Sequence, residues 1–291
     1  DRTTTIQDSF VELASPPSIG NMAEFTNYKR EVVTFLKKKT FGAFPKQPVP
    51  LDIRSEFRAL DGSGTQRQDY SFVPEEGWRL KFSLRGRNLY DSIPSRPLLL
   101  VLRNPDEERW SSESMIAGAL KDMEVAYFEA RGIGETGWSP SLQWHIRRSA
   151  AWTGRTIASM RVYDVLRCLQ ALREIPGINT KTIHIAAQGE MAVVAAYAAL
   201  LDGNVKTLLL KDPPATQNVV SDPSGRGEAL EMLNSLRVTD IPQVVGLNFP
   251  NELVMVGNPS STFEWTKNLY SNLKMPDAYL QVDKISQWVN K

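Results

Sequence analysis

The segment best placed to carry chemistry is Ala187-Gln-Gly-Glu-Met191, which joins a predicted strand to a predicted Ala-rich helix. A tight strand-to-helix turn projects its central side chain above the edge of a sheet, and the backbone N–H groups there can bind an oxyanion. Such a turn suits a serine nucleophile in acyl transfer. Here the central residue is Gly189, between Gln188 and Glu190, and glycine has no side chain that could form an acyl-enzyme.

Few residues could move a proton near this turn. The chain has 2 histidines, and both precede the turn. His184 lies inside the predicted strand Thr182 to Ala186 and is interpreted as buried and hydrogen-bonded, which leaves His145 as the candidate for proton transfer. Glu190 and Asp212 could face one cleft, where paired carboxylates do acid–base or metal chemistry. A structural role is favoured for each, because Glu190 complements a helix dipole and Asp212 precedes two prolines.

A glycine-rich segment, Gly132-Ile-Gly-Glu-Thr-Gly137, matches the G-x-G-x-x-G pattern of dinucleotide-binding turns. That function requires the glycines to open a helix whose N-terminus faces the pyrophosphate. Here Trp138-Ser-Pro140 follows, so the sequence predicts a loop, with the next long helix starting near Met160. We interpret the segment as a turn in which Arg131 bonds nearby carbonyl groups. No nucleotide cofactor is expected, and with one cysteine and two separated histidines no metal site is expected either.

Composition argues against several classes of function. Among 291 residues, 34 Lys and Arg stand against 33 Asp and Glu, and a net charge of +1 provides no field that would attract nucleic acid or an anionic membrane. The single cysteine, Cys168, lies on a helical pattern and cannot form a disulfide within the chain. No apolar run is long enough to cross a bilayer. The start at Asp1 suits an exported protein, periplasmic or secreted, or a domain excised from a longer polypeptide.

The predicted elements divide the chain into two parts. Residues 1–50 form an arm, a helix over Met22 to Lys39 and a proline-rich linker, and residues 51–291 form one α/β domain. There, apolar strands such as Pro97 to Leu102 alternate with helices, one of them around Ser114 to Lys121, which predicts a mostly parallel sheet with helices on both faces. Ligands bind at the loops that leave the carboxyl ends of such strands. The residues expected to line this cleft are Arg103, Asn104, Arg131, Glu135, Trp138 and Asn258.

Two motifs around the turn resemble those of a known family. Arg161, Asp164 and Leu172 match a pattern R-x-x-D-x-x-x-x-x-x-x-L, and Arg131 to Gly137 is similar to a turn R-G-x-G-x-[ST]. In these motifs the chain resembles the acetyl xylan esterase and prolyl-oligopeptidase-like branch of the α/β-hydrolases, a dienelactone-hydrolase-like group. The resemblance extends over roughly residues 75 to 291, and it implies an α/β-hydrolase fold and hydrolysis of esters or peptides.

The resemblance also implies where a catalytic triad should lie. A serine is expected at Gly189, an acid within Gly257-Asn-Pro-Ser-Ser261, and a histidine within residues 283–291; the sequence has none of the three. The chain is therefore predicted to be a non-catalytic domain for binding or scaffolding, paired with an active hydrolase domain of the same polypeptide or complex.

Two alternatives stay open. One is a carbohydrate esterase or serine-hydrolase-like enzyme whose site is rewired around His145, Glu190 and Asp212. The other is polysaccharide binding by tryptophans that follow the glycine-rich turn, whose rings could stack on sugars or pack a cap over the sheet. These tryptophans are Trp138, Trp144 and Trp152.

Overall fold

A nine-stranded sheet runs through the part of the chain that this computed structural model describes, which is residues 12–60, 65–86, 96–105, 107, 115–116, 123–219 and 230–289. Its strands are β1 (Arg54–Leu60), β2 (Gln66–Phe72), β3 (Leu80–Gly86), β4 (Pro97–Leu102), β5 (Glu124–Phe128), β6 (Asn179–Gln188), β7 (Thr207–Lys211), β8 (Glu252–Val256) and β9 (Tyr279–Val282). The helices are α1 (Met22–Phe35), α2 (Pro140–Trp152), α3 (Ile157–Glu174), α4 (Gly189–Asp202), α5 (Ile241–Gly246), α6 (Glu264–Asn272) and α7 (Ser286–Val289).

The strand order is β1-β2-β3-β5-β4-β6-β7-β8-β9. Strands β1, β2 and β3 pair antiparallel, as β3 does with β5, whereas β5, β4, β6, β7, β8 and β9 pair parallel in succession. The parallel strands are apolar on both faces; in β4, for example, Leu98 to Leu102 are all buried. A strand of this kind needs cover on both sides. The predicted α/β class with a mostly parallel sheet is confirmed.

Two apolar clusters lie on the two faces of this sheet. The larger one includes α3 and α4, whose inner residues are almost all buried. The smaller one joins Leu99 and Val101 of β4 to Ile116, Ile285 and Trp288. The helix predicted around Ser114 to Lys121 lies outside the described residues, apart from Met115 and Ile116.

The N-terminal helix packs against the segment around Phe249. Helix α1 continues into a π-helical turn, Leu36–Thr40, close to the predicted end at Lys39. The Phe25 ring meets Phe249 edge to face at 5.3 Å, and Lys29 Nζ donates to the Phe249 carbonyl at 3.2 Å. Because Phe25 is buried there, the helix is part of the same packed body as the sheet.

The prediction of a loop after the glycine-rich turn is wrong, because a helix begins there. Helix α2 begins at Pro140, directly after Ser139, whose side chain accepts a hydrogen bond from the Leu142 N–H at 3.3 Å. A serine cap followed by proline at the first helical position is a regular way to start a helix, since proline fixes φ and lacks only a donor that would be unpaired there. The Ser139-Pro140 pair is thus a signal for the start of a helix, whereas the sequence analysis interpreted it as part of a loop.

No helix within the described ranges is both long and apolar enough to cross a membrane.

Candidate functional site

The predicted strand-turn-helix is confirmed at the junction of β6 and α4. Gln188 is extended, with φ −129° and ψ 161°, and Gly189 follows with φ +55°. A positive φ is open to glycine and costs other residues free energy, so the backbone needs Gly189 for the sharp reversal. Helix α4 is buried from Glu190 to Leu200, and its alanines let it pack closely against β6, β7 and α3.

The space above Gly189 is occupied by the side chain of Asn104. A Cβ built on Gly189 would lie 2.6 Å from Asn104 Nδ2, which is closer than real Cβ contacts come. Asn104 Oδ1 accepts the Met191 N–H at 3.1 Å, and the Asn104 N–H donates to Glu107 Oε2 at 3.0 Å. A nucleophile at this position would therefore meet Asn104, and one of the N–H groups of the turn already has a partner.

Glu107 is a residue of this site that the sequence analysis missed. It is 8% exposed, and within the described part of the chain its Oε1 has no hydrogen-bond partner while its Oε2 accepts from Asn104. A carboxylate three residues after an expected cleft asparagine, in a loop at the carboxyl end of β4, was the available signal.

Glu190 forms a buried ion pair. The carboxylate, 8% exposed, binds the guanidinium of Arg161, which is 2% exposed. Arg161 Nε also donates to the Arg131 carbonyl at 3.2 Å. Burying a carboxylate requires such a partner, so the structure accounts for Glu190 by pairing as well as by its place at a helix N-terminus.

Arg131 of one sequence motif and Asp164 of the other form a buried network with the pair of Glu190 and Arg161. Arg131, 2% exposed, donates from its backbone N–H and from Nε and a terminal nitrogen to Asp164, with a shortest distance of 2.6 Å. It also binds Glu75 at 3.0 Å, and Glu75 binds Arg155 at 2.6 Å. Arg131 therefore binds carboxylates, not the carbonyl groups we expected.

Ion pairing shifts the pKa values of two groups in this network, Arg131 and Glu75. Burial alone would lower the pKa of the Arg131 guanidinium, but Asp164 and Glu75 raise it above its ordinary value. Burial likewise works to raise the pKa of Glu75, and the neighbouring Arg155 and Arg131 outweigh it, so that the pKa of Glu75 is lowered. Both shifts favour the charged form, which fits a role for Arg131 and Glu75 in holding the turns together.

The glycines of the G-x-G-x-x-G segment make room for side chains of this same chain. A Cβ on Gly132 would lie 2.3 Å from the Trp138 ring, and one on Gly134 would lie 1.9 Å from Glu129 Oε2. Both glycines have positive φ. The interpretation of the segment as a conformational turn accounts for all of these contacts.

His145 and Asp212, two of the three proposed acid–base residues, both have exposed side chains. His145 is exposed on α2 and makes an edge contact with Trp144, with ring centroids 4.6 Å apart. Asp212 is exposed after β7, with φ +47°, and a Cβ on Gly257 would lie 3.5 Å from its Oδ1. Asn258 is exposed in the turn after β8. Within the described ranges, no hydrogen bond or ion pair connects His145 to Asp212.

His184 is buried as expected, at 7% exposure, but its hydrogen bonding is not as expected. Its Nδ1 has no hydrogen-bond partner in the described part of the chain, and its ring meets Trp288 edge to face at 5.2 Å. It lies at the amino end of the sheet, level with the first residue of β7. It is therefore remote from the carboxyl edge, where the turn at Gly189 lies.

The remaining residues predicted for the cleft fall in different places. Trp138 covers Gly132 and donates from Nε1 to Gln143 at 3.3 Å. Trp144 lies beneath the Arg148 guanidinium at 4.6 Å, and Trp152 is 90% exposed at the end of α2. Arg103 and Glu135 both line a second cleft, on the face of β1, β2, β3 and β5. Across the described residues, no group of three His, Cys, Asp or Glu side chains could hold a metal ion.

Comparison with known proteins gives likenesses of structure. No family model matches the chain, and no curated protein matches it in sequence. A Bacteroides fragilis protein assigned as an acetyl xylan esterase superposes with a TM-score of 0.76 at 12% identity, covering 96% of this chain and 80% of its own. A glucuronoyl esterase from Solibacter usitatus superposes with a TM-score of 0.65 at 10% identity, covering 97% of each chain.

A third solved structure belongs to the same group. An acetyl xylan esterase from a Thermoanaerobacterium species superposes with a TM-score of 0.55 at 11% identity, covering 96% of this chain and 90% of its own. Identities this low establish the fold and leave the activity open. The chain therefore has the α/β-hydrolase fold, in the form shared by acetyl xylan esterases and glucuronoyl esterases.

Proposed function

We propose that this chain is a non-catalytic α/β-hydrolase-fold domain that serves in binding or scaffolding, paired with an active hydrolase domain of the same polypeptide or complex. The observation that carries the proposal is the contact between Gly189 and Asn104. The position where the fold mounts its nucleophile has no side chain, and the Asn104 amide lies 2.6 Å from the place of the missing Cβ. An acyl-enzyme needs a nucleophilic atom at this point.

The lack of a proton relay supports the same proposal. The segment after β9 contains no histidine, and the turn after β8 contains no carboxylate. Glu190, the carboxylate next to Gly189, is held by Arg161. After triad deletions, N–H donors and substrate binding alone retain about 10³–10⁴-fold acceleration over water, and here one of those donors, the Met191 N–H, is already bonded to Asn104.

The test is turnover together with covalent labelling. The chain should not hydrolyse p-nitrophenyl acetate above the buffer rate and should not react with a fluorophosphonate, while an active acetyl xylan esterase assayed in parallel does both. Labelling of the chain at a serine, or turnover abolished by substitutions at the carboxyl edge, would overturn the proposal.

A second candidate is a carbohydrate esterase with a rewired site. Its support is the likeness in structure to acetyl xylan esterases and glucuronoyl esterases. In this candidate His145 acts as the base, assisted by Glu190 or Asp212. It predicts acetyl release that is lost in His145→Ala and kept in Ser149→Ala, a matched change at an exposed position of the same helix. Equal activity in both variants would remove His145 from the mechanism.

A further inference from the structure

A second cleft lies on one face of the antiparallel strands, and Gly189 and Asn104 are not among its lining residues. Its volume is about 720 Å³, within the range of small-molecule sites. We call it the sheet-face cleft, and its described lining is Glu56, Phe57, Arg67, Asp69, Lys81, Phe82, Ser83, Arg103, Tyr127, Phe128, Glu129, Gly134 and Glu135.

The floor of the cleft is one row of side chains across four strands. The strand registers pair Phe57 with Asp69, Asp69 with Ser83, and Ser83 with Tyr127. Directly paired residues of neighbouring strands share a face of the sheet. The row therefore presents an aromatic ring at each end, with a carboxylate and a hydroxyl between them.

A β-bulge in β1 directs two consecutive residues toward this cleft. Ser55 pairs with Tyr70 and Phe57 pairs with Asp69, so Glu56 is the extra residue. In a regular strand, neighbours point to opposite faces, and a bulge re-aims a side chain. Both Glu56 and Phe57 line the cleft, and Phe57 keeps 49% of its surface exposed. The Arg67 guanidinium lies 5.5 Å from the centroid of the Phe57 ring, and the part of the ring that stays exposed is a platform on which another ring can stack.

The lining of the cleft has three cations and four carboxylates, and each cation is paired with a carboxylate of the lining, which leaves Glu56 as the excess carboxylate. Arg67 binds Asp69 through two hydrogen bonds of 2.9 and 2.6 Å, and Lys81 binds Glu135 at 2.8 Å. Arg103 likewise pairs with Glu129. An anionic ligand would have to take a cation from such a pair, whereas a neutral hydroxyl group can bond to groups that stay paired.

The floor of the cleft also carries a buried hydroxyl group, that of Ser83. Across the described ranges, the buried Ser83 hydroxyl makes no hydrogen bond. A buried polar atom without a partner indicates a missing group, such as a water molecule or a ligand.

We propose that the sheet-face cleft binds a neutral, hydroxyl-rich ring compound, of the kind found in an uncharged oligosaccharide, with one ring stacked on Phe57. All three cations of the cleft are paired and the carboxylates outnumber them, so an anion is disfavoured, and the aromatic platform favours a ring with an apolar face. The inference rests on the proposed function only in treating the chain as a binding domain. It uses none of the residues at the turn around Gly189.

Calorimetric titration of the whole chain tests this inference. The neutral probe is xylotetraose and the charged probe is a tetramer of galacturonic acid. Xylotetraose should bind, and Phe57→Ala should weaken its binding about tenfold. Phe57→Trp should retain binding. The matched control is Leu60→Ala, a change at a 66% exposed position of the same strand that does not line the cleft, and it should leave binding unchanged. Melting temperatures establish that all variants are folded.

Each other outcome contradicts the inference. Binding that survives Phe57→Ala but is lost in Trp152→Ala would place the sugar on the exposed tryptophan at the end of α2. Preference for the acidic tetramer would overturn the neutral class, and no binding of either probe would overturn the site. None of these outcomes affects the labelling experiment at Gly189, so the two proposals fail separately.

Discussion

The two edges of the parallel sheet differ in whether their buried ionisable groups are paired with an opposite charge. At the carboxyl edge, Arg131 and Asp164 are buried as partners, and Arg131 keeps its charge. At the amino edge, His184 Nδ1 and Glu124 Oε2 are buried without a hydrogen-bond partner in the described part of the chain. Burial lowers the pKa of His184 to about 4 and raises the pKa of Glu124 to about 7, so both shifts favour the neutral form.

The difference teaches that burial does not by itself indicate chemistry. A buried group keeps its charge where the fold supplies an opposite charge, and it tends to lose it elsewhere. The carboxyl edge, where the buried charges are paired, is also the edge at which the turn at Gly189 and the side chain of Asn104 lie. The histidine of the unpaired edge is remote from that site and is a packing residue. Three experiments would break or sharpen this comparison.

The largest expected effect follows from breaking the paired edge. Asp164→Ala should lower the free energy of unfolding by about 3–5 kcal/mol, because it leaves the Arg131 guanidinium buried with Glu75 as its remaining carboxylate. Urea denaturation measures the loss. The matched control is Glu135→Ala, which removes an exposed partner of Lys81 and should cost less than about 1 kcal/mol. Equal losses in the two variants would mean that the buried pair contributes no more than a surface pair.

The next effect is a pH dependence of opposite sign from the two amino-edge groups. In Glu124→Gln, His184 remains. Its folded pKa of about 4 lies below the ordinary 6.5, so the unfolded chain takes up a proton that the folded chain refuses. The stability from His184 is therefore complete above pH 6.5 and is lost as the pH falls toward 4, by at most about 3 kcal/mol.

In His184→Gln, Glu124 remains and the sign reverses. Its folded pKa of about 7 lies above the ordinary 4.5, so the folded chain keeps a proton that the unfolded chain has released. The stability from Glu124 is complete below pH 4.5 and is lost as the pH rises toward 7. Urea titrations of both variants between pH 4.5 and 7 should show diverging curves, since the other carboxylates are common to both. Parallel curves would contradict the assignment of neutral forms.

The smallest expected effect concerns the carboxyl edge, where Asn104 occupies the space next to Gly189. Gly189→Ala should cost more than Gly203→Ala, because both glycines have positive φ but a Cβ at Gly203 meets nothing within 4 Å. The backbone cost common to both is about 1–2 kcal/mol. In an Asn104→Ala background the excess at Gly189 should disappear, a coupling of about 1 kcal/mol in a double-mutant cycle. An unchanged excess would show that Asn104 does not occupy the space of the missing side chain.

The sequence predicted most elements of the parallel sheet because their patterns are local. An apolar run such as Leu98 to Leu102 indicates a buried strand wherever it occurs, and the turn at Gly189 was predicted from the change of pattern on its two sides. Helix α2 was missed because the tryptophan and proline before it were interpreted as a break, although Ser139 is its N-cap.

The sequence was less informative about the sites. Asn104 was predicted to lie near the cleft, but its contact over Gly189 joins residues 85 positions apart and has no local signature. The sheet-face cleft was not predicted, because its floor exists only through the registers of four strands and a bulge at Glu56. Arg103 and Glu135 were both chosen for the first cleft, and their side chains line the second.

By itself the sequence determined the α/β class, the strand-turn-helix at Gly189, and the absence of a serine, an acid and a histidine where a triad is expected. These follow from residue identity and from periodicity along the chain. Only the tertiary structure decided which charges are paired, which side chain lies over Gly189, and where a cleft remains open. Those properties depend on contacts between residues far apart in sequence, and such contacts form when the sheet assembles.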